Sequence, residues 1–136
     1  MDMNDESYRL LIENLPAVEG KTVDVRWATD LAYKYTYLSP GVEEQIGYRA
    51  EELLGSSALT TLTPDTIRKT AEAFMEAVSV EVSEDSRPNL YVTLNLEHTH
   101  RSGSPVWVTV SMAFIRDHEG KAKGIIGVSR TTNRHD

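Results

Sequence analysis

The 136-residue sequence contains no cysteine. This absence excludes disulfides, thiolate metal ligands and cysteine nucleophiles, and it is usual for proteins of a reducing compartment. Long apolar runs are also missing, because no stretch approaches the ~20 residues that a membrane-spanning helix needs. The first six residues, MDMNDE, are acidic and lack the basic-then-apolar order of a signal peptide. These absences predict a cytoplasmic protein without membrane insertion.

Positive charge is scarce as well. The chain has 14 Lys and Arg against 21 Asp and Glu, which gives a net charge of −7. Its longest basic grouping is Lys121 and Lys123. Nucleic acids and anionic membrane surfaces both attract proteins through basic patches. The sequence therefore predicts neither as a partner, and its length and 40% hydrophobic content fit one ordinary globular domain.

Apolar spacing near the N-terminus predicts one helix and two strands. Apolar residues recur at helical spacing over residues 7–15, so a helix is expected there, ended by Pro16. Apolar and polar residues then alternate over 22–29 and 33–38, which predicts two strands. The second strand should carry three tyrosines on one face: Tyr33, Tyr35 and Tyr37.

Helices are expected in the middle of the chain. Ser39 should cap a short helix that ends at Gly47, and residues 50–54 form one further turn. Thr63 followed by Pro64 predicts the start of the longest helix, of roughly five turns. The inward stripe of this helix should be apolar: Ile67, Ala71, Phe74 and Val78.

The last third of the chain predicts a three-stranded meander. A two-residue turn at Ser102-Gly103 would join the first two strands and set His98 opposite Trp107. Both faces of this hairpin are then substantially apolar, unlike a sheet with one wet face. The second face should therefore be covered too, by the N-terminal helix or by a second subunit. The three strands are expected over residues 90–100, 105–116 and 122–131.

No catalytic or metal-binding set of residues stands out. His98 and His100 share one face of a strand, but a third ligand is missing, so a metal site is disfavoured. No Ser-His-Asp set or paired carboxylates are evident. Gly124 and Gly127 interrupt a strand pattern, which indicates a close backbone approach or a bulge. Ordinary packing is favoured over a cofactor pocket for the aromatic residues: Trp27, Tyr33, Tyr35, Tyr37 and Trp107.

Two separated motifs carry a family resemblance. The first is YLSPGVEEQIGY at residues 37–48, followed by EELLG at 51–55. The second is HRSGSPVWV at 100–108, which continues to DHEGK at 117–121 and GIIGVSR at 124–130. In this order and at this separation they resemble a PAS domain, an S-box followed by a PAC motif, as found in prokaryotic sensory signalling proteins. The resemblance covers roughly residues 7–131.

The resemblance implies a fold and a division of the chain. The PAS fold is α+β, with a five-stranded antiparallel sheet of order 2-1-5-4-3, helices packed on one face and, here, an N-terminal helix. The expected division is an N-terminal helix and lead-in at 1–20, the PAS domain at 21–131 and a C-terminal tail at 132–136.

The resemblance also implies a function. Such domains are sensor and dimerisation modules rather than enzymes, so we expect a regulatory domain of a signal-transduction protein that senses a small organic ligand. A homodimer would relay the signal to an output domain in cis or to a signalling partner. A parent histidine kinase or diguanylate cyclase, in a two-component system, fits by analogy. Two alternatives stay open: a ligand-free protein–protein interaction scaffold, and a small α+β enzyme with an apolar cleft.

The resemblance leaves the cofactor unknown: a non-covalent flavin, haem with another ligand, a small organic ligand and an empty, packed core all stay open. A cysteine-linked flavin and a thioester chromophore are excluded because the chain has no cysteine. Haem held by a histidine of the long helix is disfavoured, because residues 64–84 contain none. The candidate ligand-binding residues, between the sheet and the long helix, are Trp27, Ile46, Leu53, Phe74, Val78, Leu94 and Ile126. The candidate dimer-interface residues are Tyr8, Leu11, Ile12 and Leu15.

The end of the second motif departs from the family pattern. PAC motifs commonly finish with an Arg-Asp-Ile-Thr-Glu-Arg-like sequence. Arg130 matches this ending, but Thr131 replaces the Asp that helps to fix the exit of a signalling helix, and Thr132 replaces the Ile. The resemblance therefore does not extend to the usual contacts with a downstream helix.

Overall fold

The computed structural model describes residues 5–16, 22–83 and 92–132. None of the helices described in these ranges is long and apolar enough to span a membrane. In chain order the elements are α1 (Asp5–Glu13), β1 (Asp24–Asp30), β2 (Tyr35–Leu38), α2 (Val42–Ile46), α3 (Ala50–Leu53), α4 (Pro64–Ser83), β3 (Val92–Thr99), β4 (Pro105–Arg116) and β5 (Ala122–Thr131).

The five strands form one antiparallel sheet with the order β2-β1-β5-β4-β3. The predicted α+β class and strand order are therefore confirmed. β5 lies at the centre, and its residues 124–129 are all buried. Burial on both faces explains why this segment carries no charge. A Cβ added at Gly124 would lie 2.5 Å from the backbone oxygen of Thr29, so the predicted close backbone approach is confirmed.

The hairpin between β3 and β4 has a different register from the predicted one. His98 pairs with Val106, whereas a two-residue turn predicted Trp107 as its partner. The Gly103 N–H donates to the His100 carbonyl (2.8 Å), and Gly103 has a φ of 97°. A left-handed glycine at this place closes a three-residue loop through a bulge. The additional loop residue shifts the pairing of the two strands by one position.

The shift concentrates the apolar side chains of the hairpin on one face. Leu96, Val108 and Val110 now share the inner face, toward α3 and α4, and form part of the largest core cluster. Thr93 and Asn95 lie on the outer face. The prediction that both faces of the hairpin are apolar was therefore wrong for β3, because it rested on the two-residue turn. Ala113 and Ile115 of β4 still give the outer face an apolar part.

A bulge separates the tyrosines of the second strand. The pairing of β1 with β2 shifts between Ala28 and Thr29. Tyr35 is consequently buried on the inner face, whereas Tyr37 lies on the outer face with its ring 6.4 Å from the ring of Tyr8. The prediction that these tyrosines share one face was wrong, because a regular alternation does not survive a bulge.

Ser39 does not cap α2. This helix begins at Val42 after Gly41 and has no side-chain cap. The Ser39 hydroxyl instead accepts a hydrogen bond from the Arg26 N–H (2.9 Å), which joins the loop to β1. α2 ends at Gly47, as predicted.

α4 begins at Pro64, as predicted, but where its side chains are described it buries residues outside the predicted stripe, of which Ile67 is half-buried. Thr66 and Thr70 are buried, whereas Ala71 of the predicted stripe is exposed. Thr66 Oγ1 accepts a hydrogen bond from the Glu97 N–H (3.2 Å), so a hydroxyl at this side satisfies the backbone of β3. Two side chains of the predicted stripe lie outside the described residues: Phe74 and Val78.

α1 covers the outer face of the sheet. Tyr8, Leu11 and Leu15 are at most 8% exposed and pack with residues of β4 and β5. The Tyr8 hydroxyl donates to the Trp27 carbonyl (3.2 Å). The prediction that the N-terminal helix covers this face is confirmed. The dimer interface stays a prediction. Ile12 is half-buried and packs against the same cluster, in which the other three members of the predicted set are buried.

Candidate functional site

A cavity of about 50 Å³ lies against the inner face of the sheet. Its walls come from all five strands, from the segment at residues 58–62 between α3 and α4, and from the first half of α4. Aromatic and aliphatic side chains form most of its lining, among them Trp27, Leu62, Leu96, Val110, Met112 and Ile125.

Residues with a hydroxyl or imidazole group also line this cavity. They are Thr29, Tyr33, Tyr35, Thr70, His98 and Ser129. Among the described residues that line the cavity there is no Asp, Glu, Lys or Arg. An ion that entered would lose its hydration without meeting an opposite charge, so the lining favours neutral molecules.

Trp27 forms one wall because Gly127 leaves room for its ring. The two residues pair across β1 and β5, and a Cβ at position 127 would lie 2.2 Å from the indole. The indole N–H donates to Ser129 Oγ (3.0 Å), and the Tyr35 ring packs edge-on at 6.5 Å. Trp27 is therefore held in one orientation by a glycine, a hydrogen bond and a neighbouring ring.

The two titratable groups with shifted pKa values in the cavity are both neutral at pH 7. Burial raises the pKa of Tyr35 to about 12, so its hydroxyl stays protonated. Burial lowers the pKa of His98 to about 4, so its ring stays uncharged. His98 is 6% exposed, and its Nδ1 lies 2.7 Å from Thr61 Oγ1.

The predicted ligand-binding residues lie in several places. Trp27 lines the cavity. Leu94 is on the same face of the sheet but packs beside the cavity, against the core cluster that includes Leu96. Ile46 and Leu53 are buried in a neighbouring cluster with residues of β1 and β2. Phe74 and Val78 have side chains outside the described residues.

Ile126 was assigned to the wrong face of β5. It packs under α1, and Ile125 lines the cavity in its place. A shift of one residue moves every side chain of a strand to the opposite face. Ser129 lies four residues after Ile125 and therefore shares its face of the strand. Placing Ile125 on the cavity side would also have predicted Ser129 as a cavity residue.

His98 was also missed as a cavity residue. The segment before α4 covers this end of β3 through the bridge of Leu62 with His98. Each histidine has its own partner: His100 Nδ1 accepts a hydrogen bond from the Ser102 N–H (3.0 Å), and His98 Nδ1 is bonded to Thr61 Oγ1. Among the residues that the structure describes, no group of three or more acidic or histidine side chains could hold a metal ion.

Arg130 joins the outer side of β5 to the end of α1. Its guanidinium makes two parallel hydrogen bonds of 2.8 Å to the carboxylate of Asp24, and the side chain is 15% exposed. The same guanidinium donates to the Pro16 carbonyl (3.3 Å), just after α1. Thr131, where the family has Asp, accepts a hydrogen bond from the Val23 N–H (3.3 Å). These contacts fasten both chain ends of the domain to the centre of the sheet.

The strand order, the helices on one face and the cavity beneath them define a class of small α+β domains built around an enclosed site. A family model described as the PAS fold matches residues 35–129. The chain belongs to this family. PAS domains are generally sensory and signalling modules, and they are typically non-catalytic.

Solved structures show the same fold. The PAS domain of a protein from Colwellia psychrerythraea matches with a TM-score of 0.69 and 19% identity, over 83% of this chain and 89% of that chain. A light-oxygen-voltage domain studied with a flavin analogue matches with a TM-score of 0.65 and 24% identity, over 82% of this chain and 78% of that chain. Among curated protein sequences, none matches this chain.

Proposed function

We propose that this chain is a sensory and regulatory domain of a cytoplasmic signalling protein, and that its input is a small organic ligand in the cavity. PAS domains generally have sensory roles, and the described lining of the cavity is neutral. The observation that carries the proposal is the position of β5, because one face of this strand borders the cavity and the other supports α1.

Neighbouring residues of β5 contact the two sides. Ile125 and Ser129 line the cavity, whereas Ile126 and Val128 pack with α1. Packed interiors transmit small displacements, because they are as dense as organic crystals. A ligand that moves β5 therefore changes the surface on which α1 rests. The ligand favours one of two arrangements of α1, and the size of this effect is set by the difference in its affinity for the two arrangements.

The output is a homodimer whose contact lies on α1 and whose signal passes to an output domain in cis or to a partner protein. A histidine kinase or a diguanylate cyclase would suit such an input, in a two-component system. Arg130 holds the end of α1 to the sheet, and Thr131 makes a backbone contact in place of the Asp of the family pattern. Both features favour a signal that leaves through the N-terminal helix.

Xenon provides a test that does not need the natural ligand, because it enters small apolar cavities. Under xenon pressure we expect the Trp27 indole resonance to shift and the amide exchange of α1 to change, while the turn at residues 117–121 stays unaffected. A shifted indole with unchanged exchange in α1 contradicts the relay. Native mass spectrometry adds a second readout: a dimer with additional bound mass supports the sensor, and an unmodified dimer favours the ligand-free scaffold.

A further inference from the structure

Two buried polar atoms at the cavity have no hydrogen-bond partner among the described residues. They are the Tyr35 hydroxyl and the His98 Nε2, on side chains that are 9% and 6% exposed. Both atoms keep some accessible surface, and both side chains line the cavity. Polar groups of buried side chains are normally paired, so these two atoms are available to a molecule in the cavity.

The hydrogen-bond pattern identifies both atoms as donors. The Thr61 hydroxyl has no acceptor among the described residues other than the His98 Nδ1, at 2.7 Å. We assign the hydroxyl as the donor to Nδ1, and this assignment places the proton of the neutral ring on Nε2. Burial keeps the Tyr35 hydroxyl protonated, with a pKa of about 12. The cavity thus offers one N–H and one O–H that call for an acceptor.

Size and charge restrict what can meet these donors. A volume of about 50 Å³ is a third of the roughly 150 Å³ that accommodates the six carbons of benzene, and about four times the roughly 10–15 Å³ that one water needs. The two comparisons leave room for about two to four non-hydrogen atoms. The described lining contains no charged side chain, so an ion would be destabilised. Apolar side chains such as Leu96 and Ile125 complete the wall.

We propose that the cavity selects small neutral molecules with a carbonyl or hydroxyl oxygen, which accepts the hydrogen bonds of Tyr35 and His98 while an apolar group contacts the aliphatic wall. This inference rests on the proposed function and gives the chemical class of its ligand.

Three probes of nearly identical shape test the selection. Acetamide, acetate and acetamidinium each have four non-hydrogen atoms and differ in charge. We expect acetamide to shift the Trp27 indole and His98 ring resonances in an NMR titration at pH 7, with a dissociation constant on the order of millimolar. At equal ionic strength the two ions should leave these resonances unchanged. Equal binding of all three probes, or occupation by water only, overturns the proposal.

Tyr35→Phe tests the hydrogen bond directly, because it removes the hydroxyl and keeps the ring. Its acetamide dissociation constant should rise about fivefold to tenfold. Tyr37→Phe is the matched control, since Tyr37 belongs to the same strand but is 39% exposed beside Tyr8 on the outer face. Equal constants for the two variants overturn the assignment of Tyr35.

The xenon experiment separates this inference from the proposed function. If xenon alters the exchange of α1 but acetamide binds no better than acetate, the relay stands and the ligand class is wrong. If acetamide binds selectively but neither probe alters α1, the ligand class stands and the relay is wrong.

Discussion

Replacing Gly127 with alanine should displace the Trp27 indole from its place on the sheet. The added Cβ would lie 2.2, 2.5 and 2.8 Å from three carbons of the indole, whereas ordinary contact begins at 3.4 Å. The obstacle is a rigid ring rather than the end of a flexible chain, so the ring has to retreat by roughly 1 Å. That movement takes the indole N–H away from Ser129 Oγ and narrows the cavity.

The magnitude follows from three opposing contributions. Overpacking of a close-packed interior costs about 1–3 kcal/mol. Loss of the hydrogen bond from Trp27 to Ser129 costs about 1 kcal/mol. Alanine in a strand is favoured over glycine by about 0.5–1 kcal/mol, which offsets part of the loss. We expect a net loss of roughly 2 kcal/mol of unfolding free energy, equivalent to a fall in Tm of roughly 6–8 °C for a domain of this size.

Urea and thermal unfolding followed by circular dichroism measure this loss. Gly41→Ala is the control, because its nearest neighbour, the Asp24 carbonyl, lies at 3.3 Å, and it should change stability by about 0.5 kcal/mol or less. In a Trp27→Phe background Gly127→Ala should cost less than half as much, since the obstructing part of the indole is gone. An undiminished cost in that background, or a variant as stable as the parent, refutes the explanation.

Three further changes probe the cavity, the outer face of the sheet and the dimer. The pKa of His98 is near 6.5 in the unfolded chain and near 4 in the folded protein, so the unfolded chain binds more protons between these values. The free energy of unfolding should therefore fall by roughly 3 kcal/mol as the pH is lowered through this window. His98→Gln should flatten this dependence of stability on pH relative to the parent. Asp24→Asn should lower the free energy of unfolding by about 1–2 kcal/mol because Arg130 loses its carboxylate partner, and amide exchange of α1 should accelerate. Unchanged exchange would show that this ion pair does not stabilise the helix. Ile12→Glu should convert the proposed dimer to monomers on size-exclusion chromatography while Asn14→Glu does not, and a persistent dimer would exclude α1 as the contact.

Signals local to a few residues allowed much of the fold to be predicted. Pro64 begins α4 and Gly47 ends α2 because these residues act through their own backbone geometry. The close approach at Gly124 was predicted for the same reason. Strand order came from family resemblance, which combines both motifs over most of the chain. These features do not depend on how distant segments are aligned.

The site was harder to predict because it depends on register. One additional residue in the loop before Ser104 changed the partner of His98, and a bulge in β2 separated Tyr35 from Tyr37. On β5, choosing Ile126 instead of Ile125 reversed the face of the strand. Residue composition hardly distinguishes these alternatives, because both neighbours are apolar or both are polar. Only tertiary packing decides between them.

In β5 there is a physical reason why the sequence does not show which residues face which side. A strand buried on both faces has no solvent-exposed side, so its sequence shows no alternation of apolar and polar residues. Its side chains alternate between two packed environments instead. In this chain those environments are the cavity and α1. A change that enters one environment must be accommodated in the other or in the pairing with β1 and β4, since dense packing leaves few voids to absorb it. The feature that hid the site from the sequence is thus the feature that would let a ligand in the cavity act on the N-terminal helix.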